Sequence, residues 1–324
     1  MPDLTESDER APALTVLLPV YNQERYIREA VESVLAQTFR DFELIIIDDG
    51  STDGTAEILG EFDDPRIRMI RGDHKGFVTA LRAGIDHARA PWLARMDSDD
   101  ISAPDRLERQ MKFLAAHPDC VFVGSVFGIV TPNNRFLTPN EEFDWRPLTP
   151  ADITFANVAF ADPSAVFSRR IALEVGLYDD AFPKNEKALW YKMLKRGMGA
   201  VIGHPTYYVR WRLGSLSRSD LANARRDNRE IRRIYHPESA EEIGKRPLVE
   251  EWQANLYAAE KCHNYYLLAR DYGAARQTAL ATLRAAPLSP EPWKMVLRSI
   301  LRRVSLSNPI GPGKQRFRPI GQPW

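Results

Sequence analysis

The chain has 324 residues, enough for one large domain or for a large domain with a smaller appendage. Its 44% hydrophobic and 27% charged residues are those of an ordinary globular protein, and 44 basic against 44 acidic residues give no global charge that would draw it to nucleic acid. Residues 1–10 are acidic and polar, unlike a signal peptide, and the apolar runs 14–20 and 44–47 fall far short of the ~20 residues of a membrane span, so a cytoplasmic protein is expected, with Cys120 and Cys262 as reduced thiols lacking metal-ligand spacing.

The first elements alternate. An apolar run at 14–18, bounded by Pro19, and a second at 42–47 suit strands covered on both faces, as in a parallel sheet. Between them Tyr26, Ile27, Ala30, Val31, Val34 and Leu35 recur at helical spacing, with Asn22 available as N-cap. Further strands are expected at 67–70, 92–96 and 120–123. Helices are expected around Val78, Leu81 and Ile85 and over 106–116. This order implies an α/β fold with a doubly wound, mostly parallel sheet, which binds ligands beyond the carboxyl ends of its strands. From about residue 126, prolines at 132, 139, 147, 150 and 163 break the pattern; from about 220 the chain reads as a C-terminal helical extension. Residues 265–300 resemble a single helical hairpin, and 305–324 read as loose.

Polar groups gather after four strands: Tyr21-Asn22, Asp48-Asp49, Arg71-Gly72-Asp73 and Asp97-Ser98-Asp99-Asp100. Two carboxylates spaced i, i+2 at a strand end can share a hard divalent cation such as Mg²⁺ or Mn²⁺, which would also hold a diphosphate. A lone Asp-x-Asp is more often a solvated turn. Asp48-Asp49, followed by Gly50-Ser51-Thr52-Asp53, can accept hydrogen bonds from a base and a ribose, or can cap the next helix. Tyr21 offers an aromatic face to a base or packs at the rim.

Val16-Leu17-Leu18-Pro19-Val20-Tyr21-Asn22, Ser33-Val34-Leu35-Ala36-Gln37-Thr38, Ile47-Asp48-Asp49-Gly50-Ser51-Thr52-Asp53 and Ala94-Arg95-Met96-Asp97-Ser98-Asp99-Asp100-Ile101 stand in an order that resembles the inverting family 2 glycosyltransferases of bacterial polysaccharide synthesis. The resemblance runs to about Gly124 and more loosely to about Ser217. It implies a GT-A fold, a nucleoside-diphosphate sugar donor, expected to be UDP-linked, and Mn²⁺ or Mg²⁺. It assigns Pro19, Tyr21, Asn22, Asp49, Arg71 and Asp97 to the nucleotide and Asp99 to the metal. Lys75, Asp97, Arg210 and Arg212 fall to the donor sugar and diphosphate, with Arg212 where the family carries His. Arg95 and Arg106 fit either the donor or salt bridges to the acidic cluster. Aligned on Trp190, Glu186 stands at the family's acidic base and Asn185 at the base's acidic neighbour. That exchange leaves a competent transferase and a donor-binding, catalytically weak paralogue both open, with Asp179 and Asp180 as fallback bases. The acceptor is expected to be a saccharide or a lipid-linked saccharide. A nucleotidyltransferase would need a glycine-rich phosphate loop where Pro19-Val20-Tyr21-Asn22 stands.

On this reading residues 1–11 are a flexible N-terminus, 12–125 the nucleotide-sugar half and 126–219 the acceptor half. Residues 220–304 form the helical region and 305–324 a flexible tail. Residues 291–318 carry Lys294, Arg298, Arg302, Arg303, Lys314, Arg316 and Arg318 against the single acid Glu291, interleaved with Trp293, Val296, Leu297, Ile300, Leu301 and Val304. Such a helix fits a peripheral contact at the inner face of a membrane or a terminal helix docked on the protein's own core.

Overall fold

Both faces of the first strands are buried, and that sets the architecture. The computed structural model describes residues 11–139, 143–153, 160–179, 181–182, 186–212, 221–235, 263–285, 287, 290–301 and 317–320. Its parallel core comprises β1 (Leu14–Val20), α1 (Ile27–Leu35), β2 (Phe42–Asp48), α2 (Thr55–Leu59), β3 (Ile67–Arg71), α3 (Phe77–His87) and β4 (Trp92–Arg95). Alternate residues of β1 and β2 serve two different cores. Val16, Leu18, Leu44 and Ile46 pack with Ile27, Ala30, Val31 and Val34 of α1. Leu17, Ile45 and Ile47 pack with Val78, Leu81 and Ile85 of α3. This two-sided demand explains the unbroken apolar runs.

Strand order β4-β1-β2-β3 is parallel throughout, with Leu17 opposite Arg95 and Val20 opposite Asp48. These registers bring the carboxyl ends of β1, β2 and β4 to one rim. The chain continues through β5 (Ile101–Ser102), α4 (Arg106–Ala116), β6 (Cys120–Val130), β7 (Phe136–Pro139), β8 (Trp145–Leu148), β9 (Val166–Ser168), α5 (Arg169–Glu174), α6 (Lys187–Leu194) and β10 (Met198–Arg210). Here β9 joins β4 and β6 antiparallel, while β10 runs parallel to β6 and antiparallel to β5 and β8. The sheet is therefore doubly wound at one end and mixed at the other.

Two expectations need correction. The strand expected at 120–123 runs to Val130, because Gly124 and Gly128 leave room for neighbouring rings rather than ending it: Phe160 lies over Gly124 and Tyr208 over Gly128. Residues 317–320, read as part of a loose tail, form β11, the edge strand antiparallel to β7. Pro319 is tolerated there because an edge strand leaves one row of N–H groups unused. The helical extension is present as α7 (Leu221–Tyr235), α8 (Tyr272–Ala285) and α9 (Pro290–Leu301), of which α8 and α9 make the expected hairpin. Cys120 is a buried free thiol that donates to the Phe122 carbonyl, and burial pushes its pKa up to about 12, which disfavours the reactive thiolate. Cys262 lies outside the described residues.

A methyl group at Gly128 would sit inside van der Waals contact with the Tyr208 ring and 2.8 Å from the Leu137 carbonyl. Gly128→Ala is expected to lower stability by about 1–3 kcal/mol through overpacking. The check is a reduced urea midpoint with an unchanged m-value.

Candidate active site

The rim is organised by arginines. Arg95 closes β4 with its side chain 1% exposed, and its guanidinium grips both oxygens of Glu186 (Nε–Oε1 2.7 Å, Nη2–Oε2 3.0 Å). Its Nη2 also lies 2.8 Å from Asp97 Oδ1. Burial works against the charge of Arg95, and the Asp97 and Glu186 carboxylates more than reverse it. Glu186 stands at the N-cap of α6, 7% exposed. Burial raises its carboxyl above the usual range, against the pull of Arg95. Asp162, for which the sequence suggests no role, lies close by and accepts from Lys187 Nζ and Trp190 Nε1, both at 2.8 Å.

After β4 the acidic turn is stitched to β10. Asp97 donates its N–H to the Tyr207 hydroxyl, and Asp100 Oδ1 accepts the Arg210 N–H at 2.6 Å. Asp100 is buried; burial, then the Asp99 and Asp97 carboxylates, raise its carboxyl well above the usual range. Arg210, expected on the diphosphate, is instead buried and spent within the protein. It donates to the Asp99 carbonyl (2.7 Å), the Thr131 carbonyl (2.9 Å), Asn134 Oδ1 (2.7 Å) and Glu29 Oε2 (2.7 Å). It builds the turn that presents Asp99. Arg212 remains at the rim: its Nε and Nη2 lie 2.9 and 2.8 Å from Asp99 Oδ2, and its Nη2 also donates to Gln23 Oε1. Arg106 neither salt-bridges the acidic cluster nor reaches the rim. It is buried against the Arg95 and Pro163 carbonyls, and burial lowers its pKa to about 10.

The residues expected on the nucleotide divide. Tyr21, 39% exposed, stacks on His74 with ring centroids 4.0 Å apart, and Arg71 is exposed at the end of β3, opposite Asp48. Pro19 is buried within β1 opposite Ile47. Asn22, at φ 51°, clamps the next loop through the Thr52 N–H and the Ser51 hydroxyl rather than capping α1. Asp49, expected on the base, is already engaged: its oxygens accept the Lys75 N–H (2.9 Å) and the Gly76 N–H (2.8 Å). Gly76 sits at φ 94°, which favours glycine, and lets the chain turn onto that carboxylate. Lys75 contributes its backbone there, while its ammonium is exposed beside Asp73. Asp179, the fallback base, accepts the Tyr235 hydroxyl. Asp180, Asn185 and residues 213–217 lie outside the described residues.

No three acidic, His or Cys side chains among the described residues converge as a metal cage. Asp97 and Asp99, with side chains 34% and 16% exposed, are hard oxygen donors of the number that Mg²⁺ or Mn²⁺ uses when substrate phosphates complete its shell. The donor set fits such an ion, provided Arg212 yields Asp99 Oδ2.

Replacing Arg95 by Met removes the shared counter-ion of Glu186 and Asp97. A carboxyl whose folded pKa is raised stabilises fully below its unfolded value and loses that contribution as pH rises through the folded one. Arg95→Met is therefore expected to cost about 3–5 kcal/mol at pH 8 and clearly less at pH 5, where Glu186 can take a proton. Denaturation curves of both proteins at the two pH values test this.

The family model for Glycosyl transferase family 2 matches residues 15–176, half of the chain. The putative glycosyltransferase EpsE of Bacillus subtilis is 38% identical over 118 residues, 35% of this chain and 42% of that protein, so the chain spans about two fifths of this relative's length. Residues 1–349 of Staphylococcus aureus TarS, in complex with UDP-GlcNAc, superpose with a TM-score of 0.54 at 15% identity, covering 89% of this chain and 91% of that one. The mannosyltransferase PcManGT of Pyrobaculum calidifontis, with GDP-Man and Mn²⁺, gives a TM-score of 0.50 at 18% identity over 90% and 81%. The structural likenesses show a shared GT-A-like fold. The family model, matching half of the chain, shows that the protein belongs to glycosyl transferase family 2.

Proposed function

We propose that this family 2 glycosyltransferase moves a sugar, with inversion, from a UDP-linked donor to a saccharide or lipid-linked saccharide acceptor. One observation carries the reading: a single buried guanidinium, that of Arg95, joins Asp97 of the donor rim to Glu186 at the head of α6. Two acids with different tasks are thereby held at a fixed spacing. That TarS was solved with UDP-GlcNAc, and PcManGT with GDP-Man and Mn²⁺, supports a nucleoside-diphosphate sugar and a divalent ion for this chain as well.

The division of labour follows from the environments. Tyr21 and Arg71 receive the nucleoside at the rim. Asp99, with Asp97, would hold Mn²⁺ or Mg²⁺, whose chemistry there is to neutralise the charge of the leaving diphosphate. Arg212 exchanges Asp99 for diphosphate oxygens, which suit a planar guanidinium. Glu186 takes the proton of the acceptor hydroxyl while that oxygen bonds to the sugar's anomeric carbon, whose bond to the diphosphate breaks. Its raised basicity suits that role. Arg95 keeps the carboxylate oriented. A second reading, a donor-binding but catalytically weak paralogue that assists another transferase, is favoured by one feature: both Glu186 oxygens already accept from Arg95.

Mn²⁺ titrations separate the roles at the rim. Asp99→Asn is expected to abolish binding. Arg212→Ala is expected to tighten it about fivefold without nucleotide, the equivalent of roughly 1 kcal/mol of a partly buried ion pair. Equal affinities in all three proteins would remove the metal from this site. UDP-sugars with Mn²⁺ should raise the melting temperature of the native chain, consistent with a few kcal/mol of linkage at saturation.

Glu186→Gln is expected to lower transfer by about 10²–10⁴-fold with donor affinity retained. Transfer at the native rate would exclude Glu186 as base. Slow donor hydrolysis that is indifferent to the substitution, with no transfer to any saccharide, would establish the assisting role.

A further inference from the structure

The hairpin of α8 and α9 docks by one face and leaves another outward. On α9, Met295 and Ser299 are buried at 0% and 2% exposure. Met295 packs on Ala279 of α8, and the Ser299 hydroxyl lies 2.7 Å from His263 Nε2. These contacts satisfy the docked-helix expectation. They do not account for Trp293 and Leu297. Those side chains stand one turn apart at 57% and 55% exposure, more than any other large hydrophobic side chain among the described residues. Helical neighbours four apart share a face. The Trp293 indole N–H donates to the Pro287 carbonyl at 3.0 Å, so its polar edge is satisfied by the protein and its apolar body faces outward.

The sequence through and beyond α9 is one-sided in charge: the whole chain is balanced at 44 basic and 44 acidic residues, yet residues 291–318 hold seven basic residues and one acid. Lys294, beside Trp293, is 58% exposed and reaches Glu291 only at 3.5 Å. A protein interface would be depleted of lysine around its aromatic core. Long basic side chains flanking an exposed Trp and Leu instead match the polar–apolar boundary of a bilayer, where an aliphatic stem can lie on apolar material while its charge meets a phosphate. Helix α9, at 12 residues, is too short to cross a bilayer, so any contact with one is at its surface.

We infer that the outward face of α9 binds the surface of an anionic lipid bilayer. Trp293 and Leu297 enter the headgroup layer, and Lys294 pairs with a lipid phosphate. This surface lies outside the proposed donor site and stands independently of the transfer chemistry.

The test is flotation of the full chain with phosphatidylcholine vesicles, with and without phosphatidylglycerol. The native chain is expected to float only with the anionic vesicles and to be released by high salt, since headgroup attraction is screened within a Debye length. Trp293→Ala with Leu297→Ala, and separately Lys294→Glu, are expected to weaken flotation about tenfold or more, two apolar anchors being enough for marginal, reversible binding only. Because these side chains lie outside the proposed donor site, both variants should keep the UDP-sugar response, so a defect in donor chemistry is read separately. No flotation of the native chain, equal flotation with neutral vesicles, or unimpaired variants would overturn the inference. So would a concentration-dependent dimer that the double variant abolishes, since the face would then bind a second copy.

Discussion

Arg95 is a charge placed where charge is costly. It sits at the end of a parallel strand, beneath the rim, where water cannot solvate it, and it stays ionised because two carboxylates close around it. The arrangement binds distant parts of the chain. Asp97 belongs to the turn after β4; Glu186 comes 89 residues later, after β9 and α5. Neither carboxylate can move without exposing the other's partner. The geometry between the donor rim and the head of α6 is thus set by electrostatics, with Asp162, Lys187 and Trp190 forming a second polar group beside it.

A comparable device holds the acidic turn from the other side. Arg210 has no vector toward solvent, and its donors are distributed over Asp99, Thr131, Asn134 and Glu29. The rigidity of the turn is therefore borrowed from α1 and from the turn after β6, while Arg212 stays at the rim on the Asp99 carboxylate. Two arginines separated by one residue share a side, as the period of two along an extended chain dictates, and both guanidiniums lie over the Tyr26 ring. What separates them is burial: β10 ends at Arg210, whose side chain is fully covered, while Arg212 follows the strand and is partly exposed.

What could be read in the residues follows from the physics of each signal. The parallel half was legible because strands buried on both faces write themselves as continuous apolar runs, and α1 and α3 as stripes facing them. The mixed half was not. In β6 two glycines interrupt the run for reasons that lie in Phe160 and Tyr208, and β9 has only three residues. Edge strand β11 carries a proline that marks a loop in most contexts. Among site residues, the order of the acidic motifs pointed to the rim. It could not tell Arg210 from Arg212, nor foresee that Arg95 would reach across to Glu186, because those distinctions depend on register and long-range packing. Asp162 carried no local signal beyond standing before a proline.

The loop of residues 72–76 gives Asp49 a property that its position in the motif does not suggest. Its carboxylate is held by two backbone amides, those of Lys75 and Gly76, offered through the turn at Gly76. Each oxygen keeps a second lone pair, so these bonds aim the group without exhausting it. Under the proposed function, a base N–H that reaches Asp49 meets a carboxylate already oriented, and the cost of that ordering has been met in folding rather than in binding.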